Sequence, residues 1–316
     1  MGKLKNAIRN IALTTKLPCN PKWYTENVID YGLNNEVEVY PMTHSDEILM
    51  HNPDALFSNN AISKIISSCV PAVKNVSKVY MPDIETLLLA IKIASVGDEL
   101  EVYNVCPECF EKYNLLSEEE RNKLIEEKKL FIEPQAYIFD ARTCLEQVDT
   151  LPDEFPIKIN DNIKVYVKPL TLEESTKYEL DNFMIQNRIQ HYIAESKNIK
   201  EDVDALTDFD RWQENREKNE GFNQLLTELD GVASNMLKSA IKYITLNDEI
   251  LSDEEDINDL LDNISSEKYE LIKKTMEEAN KSRLNKSFNC KCNYCGYEWS
   301  NVTIDFNFSN FFGKGS

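Results

Sequence analysis

The sequence predicts an α+β fold built from two related strand–helix modules, and three observations carry that reading. Two Cys-x-x-Cys pairs stand far apart, at Cys106-Pro-Glu-Cys109 and at Cys292-Asn-Tyr-Cys295. A strand, a proline, a threonine and an acid three residues later occur twice in the same order, at Pro41-Met42-Thr43-x-x-Asp46 and at Pro169-Leu170-Thr171-x-x-Glu174. After the second of these comes a long stretch whose apolar residues recur at helical spacing. Each copy of the strand–threonine order leads through helices to one cysteine pair. The chain therefore divides into an arm at 1–35, a first module at 36–150 and a second at 155–316. The second carries a helical insertion at 172–285 and ends in a Phe-rich tail. The bland alternative is that strand-to-helix junctions often look alike.

Each cysteine pair reads as a tight turn with both sulfurs on one side. Two such turns supply the four soft ligands of a tetrahedral Zn²⁺ site. Gly296 follows the second pair directly, where such knuckles often need a positive φ. Apolar-alternating runs follow both: Phe110, Tyr113 and Leu115 after the first, and Tyr297, Trp299, Val302, Ile304 and Phe306 after the second. The expectation is a four-cysteine zinc ribbon split across the chain, with Cys106, Cys109, Cys292 and Cys295 as ligands of one structural Zn²⁺ that joins the two modules. A catalytic zinc keeps an open position, and four thiolates leave none.

Composition narrows the function. Of 316 residues, 55 are Asp or Glu and 35 are Lys or Arg, a net charge of −20 that repels phosphate backbones. Lys286 and Lys291 flank the second knuckle, but Glu108, Glu111, Glu298 and Asp305 offset them, so nucleic acid is not the expected partner. The 8 cysteines are too irregularly spaced in too long a chain for a secreted disulfide framework, which points to a reducing compartment. Cys290 is either a spare ligand or a bystander. Cys19, Cys69 and Cys144 read as ordinary thiols.

Met1 to Leu13 lacks the uninterrupted apolar core of a signal peptide, and Asn6 stands where a myristoylation signal needs Ser or Thr. No run approaches a membrane span. The expectation is a soluble cytosolic protein with no membrane partner. There is no phosphate-cradling glycine loop, no His-Glu-x-x-His and no Gly-x-Ser-x-Gly elbow, so nothing argues for an enzyme.

In order, the arm holds Leu17-Pro18-Cys19-Asn20-Pro21, an extended path that Trp23 and Tyr24 tack onto the body. Val37 to Tyr40 alternates as a strand does. Thr43 with Asp46 forms a capping box that starts a helix. Residues 61–69 and Asp83 to Ser95 read as helices, the latter ended by Gly97, and residues 99–105 as a strand into the first knuckle. Ile157 to Val167 reads as a hairpin turning at Asn160-Asp161-Asn162. Leu172 to Lys197 and Phe222 to Leu246 read as long helices around a charged link at 198–220. Asp248 to Asp262 reads as a solvated acidic edge or a docking peptide. Lys268 to Asn285 forms a last helix, and the four phenylalanines from Phe306 to Phe312 either finish the core or form a hook.

Taken together these pieces resemble the baseplate hub assembly proteins of T-even-type contractile-tailed phages, a family also described as tail assembly chaperones. The resemblance rests on Leu17-Pro18 with Tyr24, on Pro41-Met42-Thr43 with Asp46-Glu47, and on Asp83 opening the Leu87-Leu88-Leu89-x-Ile91 helix. Gly97, the knuckle after it, Cys-x-x-Cys-Gly and a Phe-Phe-Gly-like tail complete it. It covers residues 15–110 and 286–313 and is weak in the helical insertion. The chain departs from the pattern at Cys19, at Lys92 where Arg is expected and at Val96 where Tyr is expected. The resemblance implies a non-catalytic structural or assembly role, including chaperoning of a tail protein. It implies hub, wedge or tape-measure proteins as partners, and a location in the host bacterial cytoplasm during assembly or in the virion tail baseplate. The alternative is a zinc-ribbon nucleic-acid-binding factor that works with replication or transcription machinery.

Overall fold

The computed structural model describes residues 9–24, 27–50, 60–126, 133–198 and 208–303. It is a mixed helix and sheet structure whose sheets are small and antiparallel. The chain forms two compact units. The first comprises Met1–Lys74, Glu85–Thr150 and Arg283–Ser316, and the second Asn75–Ile84 and Leu151–Ser282. The second cysteine pair falls in the first unit, where the segment after Arg283 packs on residues 85–150. Among the described residues no helix is long and apolar enough to cross a membrane.

In the first unit, β1 (Leu13–Lys16) pairs antiparallel with β2 (Glu36–Val39), so this part of the expected arm is a strand with a partner. Trp23 is buried and Cys19 fully so. α1 (His44–Met50) starts at the expected capping box: Asp46 Oδ2 accepts from the Thr43 N–H at 2.8 Å and from Thr43 Oγ1 at 2.7 Å. Asp46 is buried yet satisfied, taking a third bond from Ser68 Oγ on α2 (Asn60–Cys69) at 3.0 Å. α3 (Met81–Val96) ends at Gly97, whose φ of +111° is open to glycine and costly for other residues. It leads into β3 (Glu99–Asn104), as expected.

The first cysteine pair departs from expectation, for it opens a helix rather than a strand: α4 (Pro107–Asn114) has Cys106 as its N-cap and proline at its first position. A further capped helix, α5 (Glu118–Glu126), follows. β4 (Gln135–Asp140), which sequence patterning did not single out, returns antiparallel along β3 from Asn104↔Gln135 to Glu99↔Asp140. After β4 comes the short α6 (Arg142–Glu146).

The second unit is built on a four-stranded antiparallel sheet. Its hairpin of β5 (Phe155–Lys158) and β6 (Ile163–Val167) turns where expected, with Asn160 Oδ1 accepting from the Asn162 and Ile163 N–H groups. α7 (Leu172–Asn198) begins at the second capping box, in which Glu174 Oε2 accepts from the Thr171 N–H at 2.8 Å. The two boxes share their chemistry, but one starts a helix of 7 residues and the other a helix of 27. Orphan amides at a helix start favour this arrangement in any setting, so the likeness needs no common module.

α8 (Asp208–Ala240) takes in residues 208–220 of the expected charged link and ends earlier than its apolar spacing predicts. Ile241 to Leu246 is a strand, β7, paired with β6 and, on its other side, with β8 (Glu249–Leu251). The run Ile-Lys-Tyr-Ile-Thr-Leu fits either period, and its β-branched and aromatic residues settle into a ladder once β6 offers one.

The expected acidic edge is also ordered. After β8 it forms α9 (Glu254–Asn263), which turns Ile257 and Leu261 inward and its acids outward. α10 (Ser266–Asn280) is shorter than expected, ending five residues before Asn285, and buries Ile272, Met276 and Ala279. Together with Val165, Val167, Leu237 and Ile244 these residues form the core of the unit.

Back in the first unit, β9 (Ser287–Lys291) and β10 (Glu298–Thr303) form a hairpin that carries the second cysteine pair at its tip. Phe288 packs on Phe139 of β4 with ring centroids 5.4 Å apart. Lys286 Nζ pairs with Glu85 at 3.1 Å, and the Cys144 thiol donates to the Asn285 carbonyl. These contacts fasten the hairpin to the segment that carries the first pair. The Phe-rich tail lies outside the described residues.

Candidate metal centre

The first cysteine pair takes its geometry from a helix start. With Cys106 as N-cap and Cys109 at the third helical position, less than one turn separates them and both sulfurs face the same side. The second pair takes its geometry from a hairpin tip. Gly296 at φ +73° lets its N–H reach the Cys292 carbonyl at 3.0 Å, while the Cys292 N–H donates to the Tyr297 carbonyl at 2.8 Å. The sequence expected that glycine to be needed, and the turn uses it.

The fold brings the two pairs together. Cys106 Sγ lies 3.7 Å from Cys295 Sγ, and Cys109 Sγ 3.7 Å from Cys292 Sγ. All four sulfurs fall within 4.8 Å of one another. A tetrahedron of sulfurs around Zn²⁺, with Zn–S of about 2.3 Å, has edges of about 3.8 Å, so this donor set fits that ion. Cys106, Cys109 and Cys292 are buried and Cys295 is exposed. Trp299 packs against the buried three and closes one side. Cys290 is buried opposite Trp299 in the hairpin and is not one of the four converging sulfurs.

The electrostatics around the sulfurs are uneven. Burial, reinforced by the neighbouring thiols, pushes Cys109 far above the ordinary thiol value, and burial also raises Cys106. Burial acts in the same direction on Cys292, but donated hydrogen bonds outweigh it and hold that thiol well below its ordinary value. The donors are the Cys295 N–H at 3.5 Å, the Gln135 side-chain amide at 3.2 Å and the Tyr294 N–H at 3.4 Å.

Gln135, at the start of β4, escaped the sequence reading because nothing in its neighbourhood marks it as part of a cysteine site. Tyr137, two residues on, meets Trp299 edge-on with ring centroids 5.9 Å apart and an interplanar angle of 85°. Only the alternation of β4, once that strand is recognised, would have put both residues on the face toward the cysteines.

A family model described as "T4 bacteriophage base plate protein" matches residues 9–313, nearly the whole chain. The chain belongs to that family. It is therefore a structural protein of a phage baseplate, and its family places it in the virion tail with other baseplate proteins as its partners. No curated protein and no solved structure matches it. The family match spans both units and the whole interval between the two cysteine pairs, including the helical region where the resemblance read from sequence was weakest.

Proposed function

We propose that this baseplate-family protein is a non-catalytic assembly component of the hub or wedge of a contractile tail. In this reading one structural Zn²⁺ on Cys106, Cys109, Cys292 and Cys295 holds its fold. The observation that carries the metal reading is the 3.7 Å spacing of the paired sulfurs, with no further His, Cys, Asp or Glu donor in the cluster among the described residues. Four sulfur ligands fill a tetrahedral ion and leave no position for water or substrate. Bound there, the ion supplies cross-linking rather than reaction chemistry. The cysteines hold it, the α4 start and the hairpin tip orient them, and Trp299 packs over the three buried ones while Cys295 stays exposed.

The energetics favour such a staple. The cysteine pairs lie up to 189 positions apart, and closing a loop of that length costs on the order of 5 kcal/mol plus a constant. A structural Zn²⁺ contributes on the order of 10 kcal/mol or more in small peptide systems. The chain is made and meets its tail partners in the host bacterial cytoplasm, where it also chaperones a tail protein into place.

The test is co-expression with candidate hub, wedge and tape-measure proteins, followed by nuclease treatment, purification and metal quantification on the same sample. Recovery of a hub or wedge protein with about one zinc per chain supports both parts. Binding to tail proteins without metal would leave the assembly role and remove the zinc. Salt-dependent capture of DNA or RNA, abolished by nuclease, would replace the assembly role with nucleic-acid binding.

A further inference from the structure

Resting on the zinc reading above, we infer that Gln135 is a positioning residue for the metal centre, one that reads both knuckle geometry and sulfur charge. The residue is 8% exposed and its side chain makes three directed contacts. Gln135 Oε1 accepts from the Asn293 N–H at 2.8 Å and from Tyr137 Oη at 3.2 Å. The Asn293 backbone N–H can only donate, which assigns Oε1 to that side and turns the amide nitrogen toward the cysteines. Gln135 Nε2 then donates to Cys292 Sγ at 3.2 Å.

The arrangement does two things that no ligand does for itself. Asn293 lies inside the second Cys-x-x-Cys turn, so the bond to its N–H pins that turn to β4. Register places Gln135 opposite Asn104, two residues before Cys106. One side chain thus ties the second knuckle to the strand pair that delivers the first. The N–H directed at Cys292 Sγ also stabilises negative charge on that sulfur, as partners behind metal ligands commonly do.

Apart from the Cys109 sulfur across the site, the other contacts to Cys292 Sγ among the described residues are backbone N–H groups of its own turn, from Tyr294 and Cys295, so Gln135 supplies the N–H that arrives from outside the knuckle. Gln135 is buried where a polar side chain is costly unless its bonds are made, so a role in packing alone would be better served by an apolar residue. Tyr137 completes the set with a second hydrogen bond to Oε1.

The test uses the full chain. Zinc content of the purified wild type is read first, and a chain without metal overturns this inference together with the reading it rests on. Zinc affinity is then measured by competition with a chromophoric chelator for the wild type, Gln135→Glu and Gln135→Leu. Gln135→Glu keeps an acceptor for Asn293 and removes the donor to Cys292. Gln135→Leu removes both, and Tyr137→Phe is a milder variant that loosens only the Oε1 side.

The expected result is one zinc per chain throughout, with affinity about 10-fold to 100-fold weaker in both Gln135 variants and a smaller loss in Tyr137→Phe. Cobalt-substituted protein supplies a readout that folding alone does not move. Loss of the N–H to sulfur shifts the sulfur-to-cobalt charge-transfer band to lower energy in Gln135→Glu. Wild-type affinity and an unmoved band in Gln135→Glu, in a chain that does hold zinc, would overturn the inference and leave the zinc reading standing.

Discussion

Cys109 Sγ and Cys292 Sγ stand 3.7 Å apart although 183 positions separate them in the chain. All of the second unit's long segment, Leu151–Ser282, lies between them in sequence. A cross-link at this point acts on the first unit as a whole, because it joins the α4 start to the hairpin of β9 and β10.

Cys109→Ser and Cys295→Ser are therefore expected to lose the metal and to lower the melting temperature of the chain. Cys290→Ser, whose sulfur lies outside the four, is expected to keep one metal per chain. Metal stoichiometry and a thermal melt on the three variants check this. Retention of metal by Cys109→Ser with wild-type melting would sink the staple.

The capping boxes predict a smaller and local effect. Thr171→Ala removes the hydroxyl that accepts from the Glu174 N–H at 3.3 Å and leaves an amide of the first turn of α7 without that bond. The expected loss is about 1 kcal/mol in denaturant unfolding, as is usual for a Thr cap. Thr43→Ala is expected to cost at least as much, because Asp46 is buried and would lose one of its hydroxyl donors.

Gly97 gives a backbone prediction free of packing. Its φ is +111°, and a Cβ built there meets no other atom within 4 Å. Gly97→Ala should thus destabilise the chain through conformation alone, by about 1 kcal/mol or somewhat more. A neutral result in equilibrium unfolding would show that the turn after α3 can relax.

Lys92 carries a pH prediction. It is 3% exposed, and its ammonium donates to the carbonyls of Glu99 at 2.9 Å and Gly97 at 3.3 Å. Burial lowers its pKa below the ordinary 10.5, against the opposing pull of Asp98. Between the folded value and 10.5 the unfolded chain binds the extra proton, so in that window stability rises with pH. Below the folded value both states are charged and the burial penalty is present in full. Lys92→Met is expected to flatten this alkaline rise, measured as the difference in unfolding free energy between wild type and variant from neutral pH to about 10.5. Parallel pH curves would mean that Lys92 remains charged throughout.

Much of the local structure was legible in the chain because short-range physics fixes it. The threonine–acid boxes at Thr43 and Thr171, the stop at Gly97, the hairpin at Asn160 and the turn at Gly296 each depend on a few adjacent residues. What proved illegible depended on partners far away. Ile241 to Leu246 carries a pattern that suits helix and strand alike, and the neighbouring β6 decided between them. The run after Cys109 reads as a strand when its apolar residues are taken as alternating, yet Phe110 and Tyr113 stand three apart, as on a helix, and Pro107 with the N-cap at Cys106 starts one.

The sequence by itself determined the four candidate ligand cysteines and their donor chemistry. Spacing within Cys-x-x-Cys constrains each pair, and the choice of sulfur constrains the metal. Only the tertiary structure decided which unit the pairs belong to: both lie in the first, so a metal held by them would staple that unit. It also set Cys290 aside and brought Gln135 in. Those outcomes follow from the register of β3 and β4 and from the packing of Phe288 on Phe139, contacts between segments far apart in the chain that no local pattern encodes.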